Sequence, residues 1–187
     1  WTNGTGAASL PPAAIDNISL VSRPATDVNS IGTGLWSNAS IWDNGVPTPA
    51  DNVIVNAGHT VSIDSKFSGA NDLFVAGTGA TLQWGNSASI VDYFTIGNDL
   101  GISGSGARFN VFEAGLPANG KKLFVAHDIN VTAGGRFDTS APAYTSNYGY
   151  LNLNGSTVQT VNVDSSSFVG GTNPTTSSST NKILIDE

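Results

Sequence analysis

The chain has 187 residues, a net charge of −7, only 11% charged residues and neither cysteine nor methionine. That length suits one domain with a sizeable core, and the missing cysteines exclude disulfides and thiolate metal sites. Seven basic residues, with Lys121-Lys122 the only basic pair, argue against nucleic acid as a partner, and no stretch approaches the roughly 20 apolar residues of a membrane span. Ser, Thr, Asn and Gly must supply the polar surface, a composition met on secreted β proteins. With no methionine at position 1, the chain is expected to be a processed product or a piece cut from a longer protein.

In chain order the reading is all-β. Helix periodicity is nearly absent, and short alternating runs are separated by Gly, Asn, Asp and Ser clusters. The expected strands are Ile15–Val21, Val53–Val55, Thr60–Ile63, Leu73–Val75, Thr81–Trp84, Tyr93–Ile96, Leu100–Ile102, Arg108–Phe112, Leu123–Val125, Ile129–Val131, Leu151–Leu153, Val158–Val163 and Lys182–Ile185. Residues 1–24 hold too few strands for a complete sandwich and read as the tail of a preceding domain. Residues 25–34 read as a linker, and 35–187 as a coil expected to continue beyond residue 187.

The coil is inferred from internal repetition. FTIGNDLGISGSGARFNV (94–111) overlays LFVAHDINVTAGGRFDTS (123–140), so Asp99 matches Asp128 and Arg108 matches Arg136. The run LFVA occurs at Leu73–Ala76 and again at Leu123–Ala126. Repeat starts near Val53, Leu73, Phe94, Leu123, Leu151 and Ile183 give an irregular spacing of roughly 20 to 30 residues, within the solenoid range. One such unit cannot bury its apolar face alone, whereas stacked units bury a continuous core and pair each strand with its counterpart in the next turn. The fold expected is therefore a right-handed parallel β-helix. An antiparallel β-sandwich, which also has many short strands, is the alternative. The segments Glu113–Gly120 and Thr139–Tyr150 are expected as loops leaving the coil.

An open solenoid end exposes strand edges and core, so it needs a cap. Trp36 and Trp42 are large enough to cover it. Gly45-Val46-Pro47 would turn the chain there, and Asp51 would lead it into the first rung.

Few residues suggest chemistry. His59 and His127 lack partners at metal-binding spacing along the chain and read as exposed turn residues. Asp99 and Asp128, stacked in successive repeats, are candidate calcium ligands, calcium being the one cofactor considered. Their bland alternative is a corner role. A catalytic role would need carboxylates converging on one face. Among the aromatics, Trp84 closes a strand and reads as core. Tyr93, Tyr144, Tyr148 and Tyr150 could stack on sugars, the last three from a loop.

The segment with Trp36, Ser37, Trp42, Gly45, Pro47, Asp51, Val53, Gly58, Val61, Ile63 and Asp64 follows W-S-x-x-x-x-W-x-x-G-x-P-x-x-x-D-x-V-x-I-x-x-G-x-x-V-x-[ILV]-D, with Val55 where Ile is commoner. It resembles the start of β-helix modules in large secreted surface adhesins of Bacteroidota. LFVAHDINVTAGGRF and LNLNGSTVQTV resemble their later rungs, so the resemblance spans about residues 31–187. WTNGTGAASLPPAAIDNISLVSRP resembles the closing strands of a jelly-roll module. The resemblance implies an extracellular, cell-surface, noncatalytic protein exported by type IX secretion, with roles in adhesion or gliding. Its expected partners are surface glycans, other extracellular proteins and neighbouring domains of the same chain, without membrane insertion. The alternatives are part of a β-helix carbohydrate-active enzyme or a carbohydrate-binding module.

Overall fold

The computed structural model describes residues 26–65, 68–85, 93–110, 122–138, 150–164, 168–169 and 183–185. The chain opens with β1 (Asp27–Asn29) and β2 (Gly34–Leu35), followed by a single 3-10 turn at Ala39–Ile41. A first three-sided rung follows: β3 (Asn52–Val55), β4 (Thr60–Ile63) and β5 (Gly69–Ala70). The next is β6 (Leu73–Ala76), β7 (Thr81–Trp84) and β8 (Tyr93–Ile96). Then come β9 (Leu100–Ser103), β10 (Arg108–Asn110) and β11 (Lys122–Val125). They are followed by β12 (Ile129–Thr132), β13 (Arg136–Asp138) and β14 (Tyr150–Leu153). The last are β15 (Val161–Val163), β16 (Phe168–Val169) and β17 (Ile183–Ile185).

Equivalent strands of successive rungs pair side by side. The first sheet runs β1-β3-β6-β9-β12-β15, the second β2-β4-β7-β10-β13-β16 and the third β5-β8-β11-β14-β17. Every strand pair among the described residues is parallel. The fold is a parallel β-helix, and the antiparallel sandwich is excluded.

The alternation legible in the sequence sets the inside of the coil. In β3, β4 and β7 every second residue is buried, as the two-residue period of a strand requires. Register then stacks the inward side chains in columns. Val28, Val53, Leu73, Leu100 and Ile129 line the first sheet, and Val61, Leu82, Phe109 and Phe137 the second. Phe94, Leu123 and Leu151 line the third. All are 0–1% exposed, and each contributes about 1.5–3 kcal/mol by leaving water. Trp84 lies flat against Phe109 with centroids 5.9 Å apart, and Phe109 meets Phe137 edge-on at 5.9 Å.

At the corner between the first and second sheets the backbones touch. A Cβ on Gly104, at φ +123°, would lie 2.8 Å from the backbone of Gly77 one rung earlier, so only glycine fits.

Several expectations change. Residues 25–34, read as linker, contain β1 and the first residue of β2; a three-residue strand is too short to show alternation, yet Val28 is wholly buried beneath Val53. The two LFVA runs do not stack, because Leu73–Ala76 forms β6 of the first sheet and Leu123–Val125 belongs to β11 of the third. The repeat starts read from the sequence therefore mix two faces. The overlay of 94–111 on 123–140 does hold, pairing Phe94 with Leu123, Leu100 with Ile129 and Arg108 with Arg136. The strands β5, β13 and β16 were not expected from the sequence. Val158, placed in a strand beginning there, precedes β15 and is 92% exposed. The expected strand Ile15–Val21 and the loop Glu113–Gly120 lie outside the described residues.

Replacing Leu100 by Ala empties part of a sealed column and is expected to lower stability by roughly 2–5 kcal/mol. Asn130→Ala, on the exposed side of neighbouring β12, is expected to stay within about 0.5 kcal/mol of the parent. Urea unfolding followed by circular dichroism measures both.

Candidate functional site

The N-terminal residues come first. Trp36 and Trp42 are 1% and 3% exposed, meet edge-on with centroids 5.1 Å apart, and are tied by the Trp42 Nε1–H donating to the Trp36 carbonyl at 2.9 Å. Trp36 also packs edge-on against Phe94 at 5.1 Å, although Phe94 lies on the second three-sided rung. The intervening strand β5 is only Gly69–Ala70, and a Cβ on Gly69 would strike Thr95 at 2.7 Å. Pro47 is buried beside the turn at Gly45, whose φ is +80°. Asp51 is fully buried. Its Oδ2 accepts the Thr48 amide at 2.8 Å and the Thr48 hydroxyl at 2.7 Å, and its Oδ1 accepts the Thr26 amide at 3.3 Å. It thereby ties the loop ahead of β3 to the residue ahead of β1.

The densest polar chemistry lies at the corner where the third sheet turns into the first. Register stacks Asp27, Asn52, Asp72, Asp99, Asp128 and Thr160 there. Beside them run Asn71, Asn98, His127 and Gln159, each preceding the stacked residue of its own rung. Each carboxylate receives hydrogen bonds from the next rung. Asp72 Oδ1 accepts Asn98 Nδ2 at 2.7 Å and the Asp99 amide at 3.1 Å. Asp99 Oδ1 accepts His127 Nδ1 at 2.5 Å and the Asp128 amide at 3.0 Å. Asp128 Oδ1 accepts the Thr160 amide at 2.7 Å. Gln159 closes the next level by donating to the carbonyls of Val125 at 3.0 Å and His127 at 2.6 Å.

Asp99 and Asp128 are thus neighbours, as the repeat implied. They do not face each other as a free acid pair, since one oxygen of each is committed to the next rung. Neither histidine is a free turn residue. His59 is half-buried, with Nδ1 2.8 Å from the buried Ser30 hydroxyl. His127 lies 2.5 Å from Asp99 and 4.0 Å from Asp128. Asp128 is the next residue along the chain, whereas Asp99 lies 28 residues away and only the winding brings it close. A sequence signal for the ladder exists: Asn71-Asp72, Asn98-Asp99 and His127-Asp128 occupy the same place in three successive rungs.

On the second sheet Arg108 and Arg136 are register partners, and Asp138 bridges them at 2.6 and 3.3 Å. Asp138 is nearly buried, and it separates two like charges that parallel stacking places side by side. Tyr144 and Tyr148 lie outside the described residues. Tyr150 opens β14 rather than lying in a loop, and pairs in register with Lys122, which in turn pairs with Tyr93. Tyr93 is 43% exposed and edge-on to Phe124 at 6.3 Å.

Comparison with family models, with curated proteins and with solved structures finds no match to this chain. Its chemistry therefore rests on its own residues.

The hydrogen bond to Asp99 raises the pKa of His127 above its ordinary 6.5; desolvation opposes this, and the charges of Asp128, Asp99 and Asp72 add to it. A folded pKa above the unfolded one means that protonation stabilises the fold. That contribution is complete below the unfolded value and fades as pH rises through the raised folded value. The His127 ring signal in a proton NMR titration is expected to move at higher pH than 6.5, and His127→Asn is expected to flatten the loss of melting temperature across the same window. Asp51→Ala should cost about 3 kcal/mol, because it strands the amides and hydroxyl that the buried carboxylate accepts; the urea midpoint reads it.

Proposed function

We propose that this chain is a noncatalytic, rod-forming segment of a large extracellular surface protein, a stalk or filament that presents loops to a surface, a glycan or a partner protein. The observation that carries this reading is the corner ladder from Asp27 to Thr160. Its polar side chains tie each rung to the next instead of converging on a space where a substrate would sit. The continuous parallel pairing of three sheets supports the same role, because stacked rungs make a quasi-one-dimensional body in which each contacts only its neighbours. The opening Trp36–Asp64 pattern, which resembles modules of secreted Bacteroidota adhesins, supports a cell-surface location, export by type IX secretion and a part in attachment or gliding.

One observation favours carbohydrate binding as a second reading. The outer face of the third sheet carries Tyr93 and Phe124 beside Lys122, and exposed aromatic rings next to a cation suit the apolar faces and acidic groups of sugars.

The test is to incubate the protein with neutral and acidic polysaccharides, measuring new reducing ends and retention on immobilised glycans. The expected outcome is no new chain ends, with or without retention. Cleavage that is lost in Asp99→Asn or Asp128→Asn would replace the structural role with that of a β-helix enzyme.

A further inference from the structure

We propose that Asn44 is a self-modifying site, at which the chain converts its own asparagine to aspartate and isoaspartate with water as the co-reactant. This goes beyond the rod role and does not depend on it. The chemistry starts from the residue that follows. A backbone amide nitrogen can attack the side-chain carbonyl of the asparagine before it, and a glycine at the attacking position puts no side chain in the way. Among the described residues two asparagines precede a glycine, Asn44 before Gly45 and Asn154 before Gly155. Both asparagines are exposed, so neither the dipeptide nor its exposure separates them. The surroundings of the two glycines do.

Gly45 lies in the turn between Trp42 and the buried Pro47, at φ +80°. A Cβ built on it would meet nothing within 4 Å, and among the described residues its N–H has no hydrogen-bond partner. The nitrogen is free to attack, and the backbone around it has room to follow the closing ring. Gly155 is the reverse. A Cβ there would strike the Ala126 carbonyl oxygen one rung earlier. Its N–H donates to Gln159 Oε1 at 3.1 Å, and the Asn154 N–H donates to the Val125 carbonyl at 3.1 Å. Attack at Asn154 therefore requires the rung to open first, whereas attack at Asn44 does not.

In the reaction the Gly45 nitrogen forms a bond to Asn44 Cγ. Asn44 Nδ2 takes the Gly45 amide proton and leaves as ammonia, closing a five-membered succinimide. Water then adds to one of the two ring carbonyls. Breaking the new bond to Cγ gives aspartate, and breaking the original peptide bond gives isoaspartate, with the main chain rerouted through Cγ. The product touches the fold at one place. Asn44 Nδ2 donates to the Asp27 carbonyl at 2.8 Å, an exposed bond that ties the turn to β1. A single exposed bond of this kind is modest and does not block ring closure. A carboxylate only accepts, so conversion removes the bond and sets a negative group against the Asp27 carbonyl, next to Asp43, whose own carboxylate holds Asn29. Modification loosens the turn from the first strand.

The experiment is incubation of the protein in mildly alkaline buffer, once folded and once in urea, followed by digestion and mass spectrometry of the peptides holding Asn44 and Asn154, with fragmentation that separates isoaspartate from aspartate. In the folded protein the Asn44 peptide is expected to convert several-fold faster than the Asn154 peptide, with isoaspartate among the products. In urea the two are expected to convert at similar rates. Asn44→Gln, which keeps a donor but cannot close a five-membered ring, is expected to hold the melting temperature and to show no conversion there, while Asn44→Asp is expected to lower the melting temperature. Asn44 staying intact in the folded protein while it converts in urea would overturn the proposal. So would Asn154 converting as fast as Asn44 in the folded protein, or conversion of Asn44 to aspartate alone. An Asn44→Asp melting temperature equal to the parent's would overturn the link to β1.

Discussion

The constraint on which everything else depends is the in-register parallel hydrogen bonding between successive rungs. It brings residues some 20 to 32 positions apart, such as Val53 and Leu73 or Ile129 and Val161, to neighbouring strands, about 4.8 Å apart. Once that pairing exists, every side chain meets its counterpart above and below. Inward positions become columns of Val, Leu, Ile and Phe. Corner positions become columns of Asp, Asn and Gly. The same geometry makes like residues neighbours, which is favourable for apolar groups and costly for charges.

Charged and polar positions show how the chain handles that cost. Arg108 and Arg136 stack as like charges, and Asp138 lies between their guanidinium groups. Along the acidic corner, Asn52, Asn71, Asn98, His127 and Gln159 supply donors to the carboxylates and carbonyls around them. Each of these half-exposed bonds contributes modestly, about 1 kcal/mol, so the core rather than the ladder supplies most of the stability. The ladder's larger effect is on register. A slip by one residue would turn the aspartates inward and the apolar residues outward. On the outer side of the first sheet, Phe74 lies over Gly101, whose missing side chain leaves room for the ring.

The N-terminal end follows from the same logic. Two indoles fill the level where the third sheet has no strand among the described residues, and Trp36 packs against Phe94 of the rung beyond the two-residue strand Gly69–Ala70. Buried Asp51 then anchors the loop that delivers the chain into the repeating rungs. In a coil built this way most corner side chains are engaged in hydrogen bonds between rungs. His127 stands out against that background because it brings an ionisable ring with a spare nitrogen to a place where asparagine serves elsewhere.

In the four-residue strands the sequence by itself determined which residues face inward, because strand alternation is local and period two needs no knowledge of the rest of the chain. It also determined the equivalence of Asp99 with Asp128 and of Arg108 with Arg136, since those two rungs share one pattern of alternating apolar positions, an Asp, a Gly-rich turn and Arg-Phe. The tryptophan pair at 36 and 42 was legible because an open coil needs large apolar cover. Only the tertiary structure decided which runs stack. The rungs differ in length, so the identical LFVA runs fall on different sheets while the dissimilar DVN and NVI segments pair. The place of Asp99 against the His127 ring was hidden for the same reason: it lies a full turn of 28 residues away, and the insertions that set each turn's length carry no local pattern.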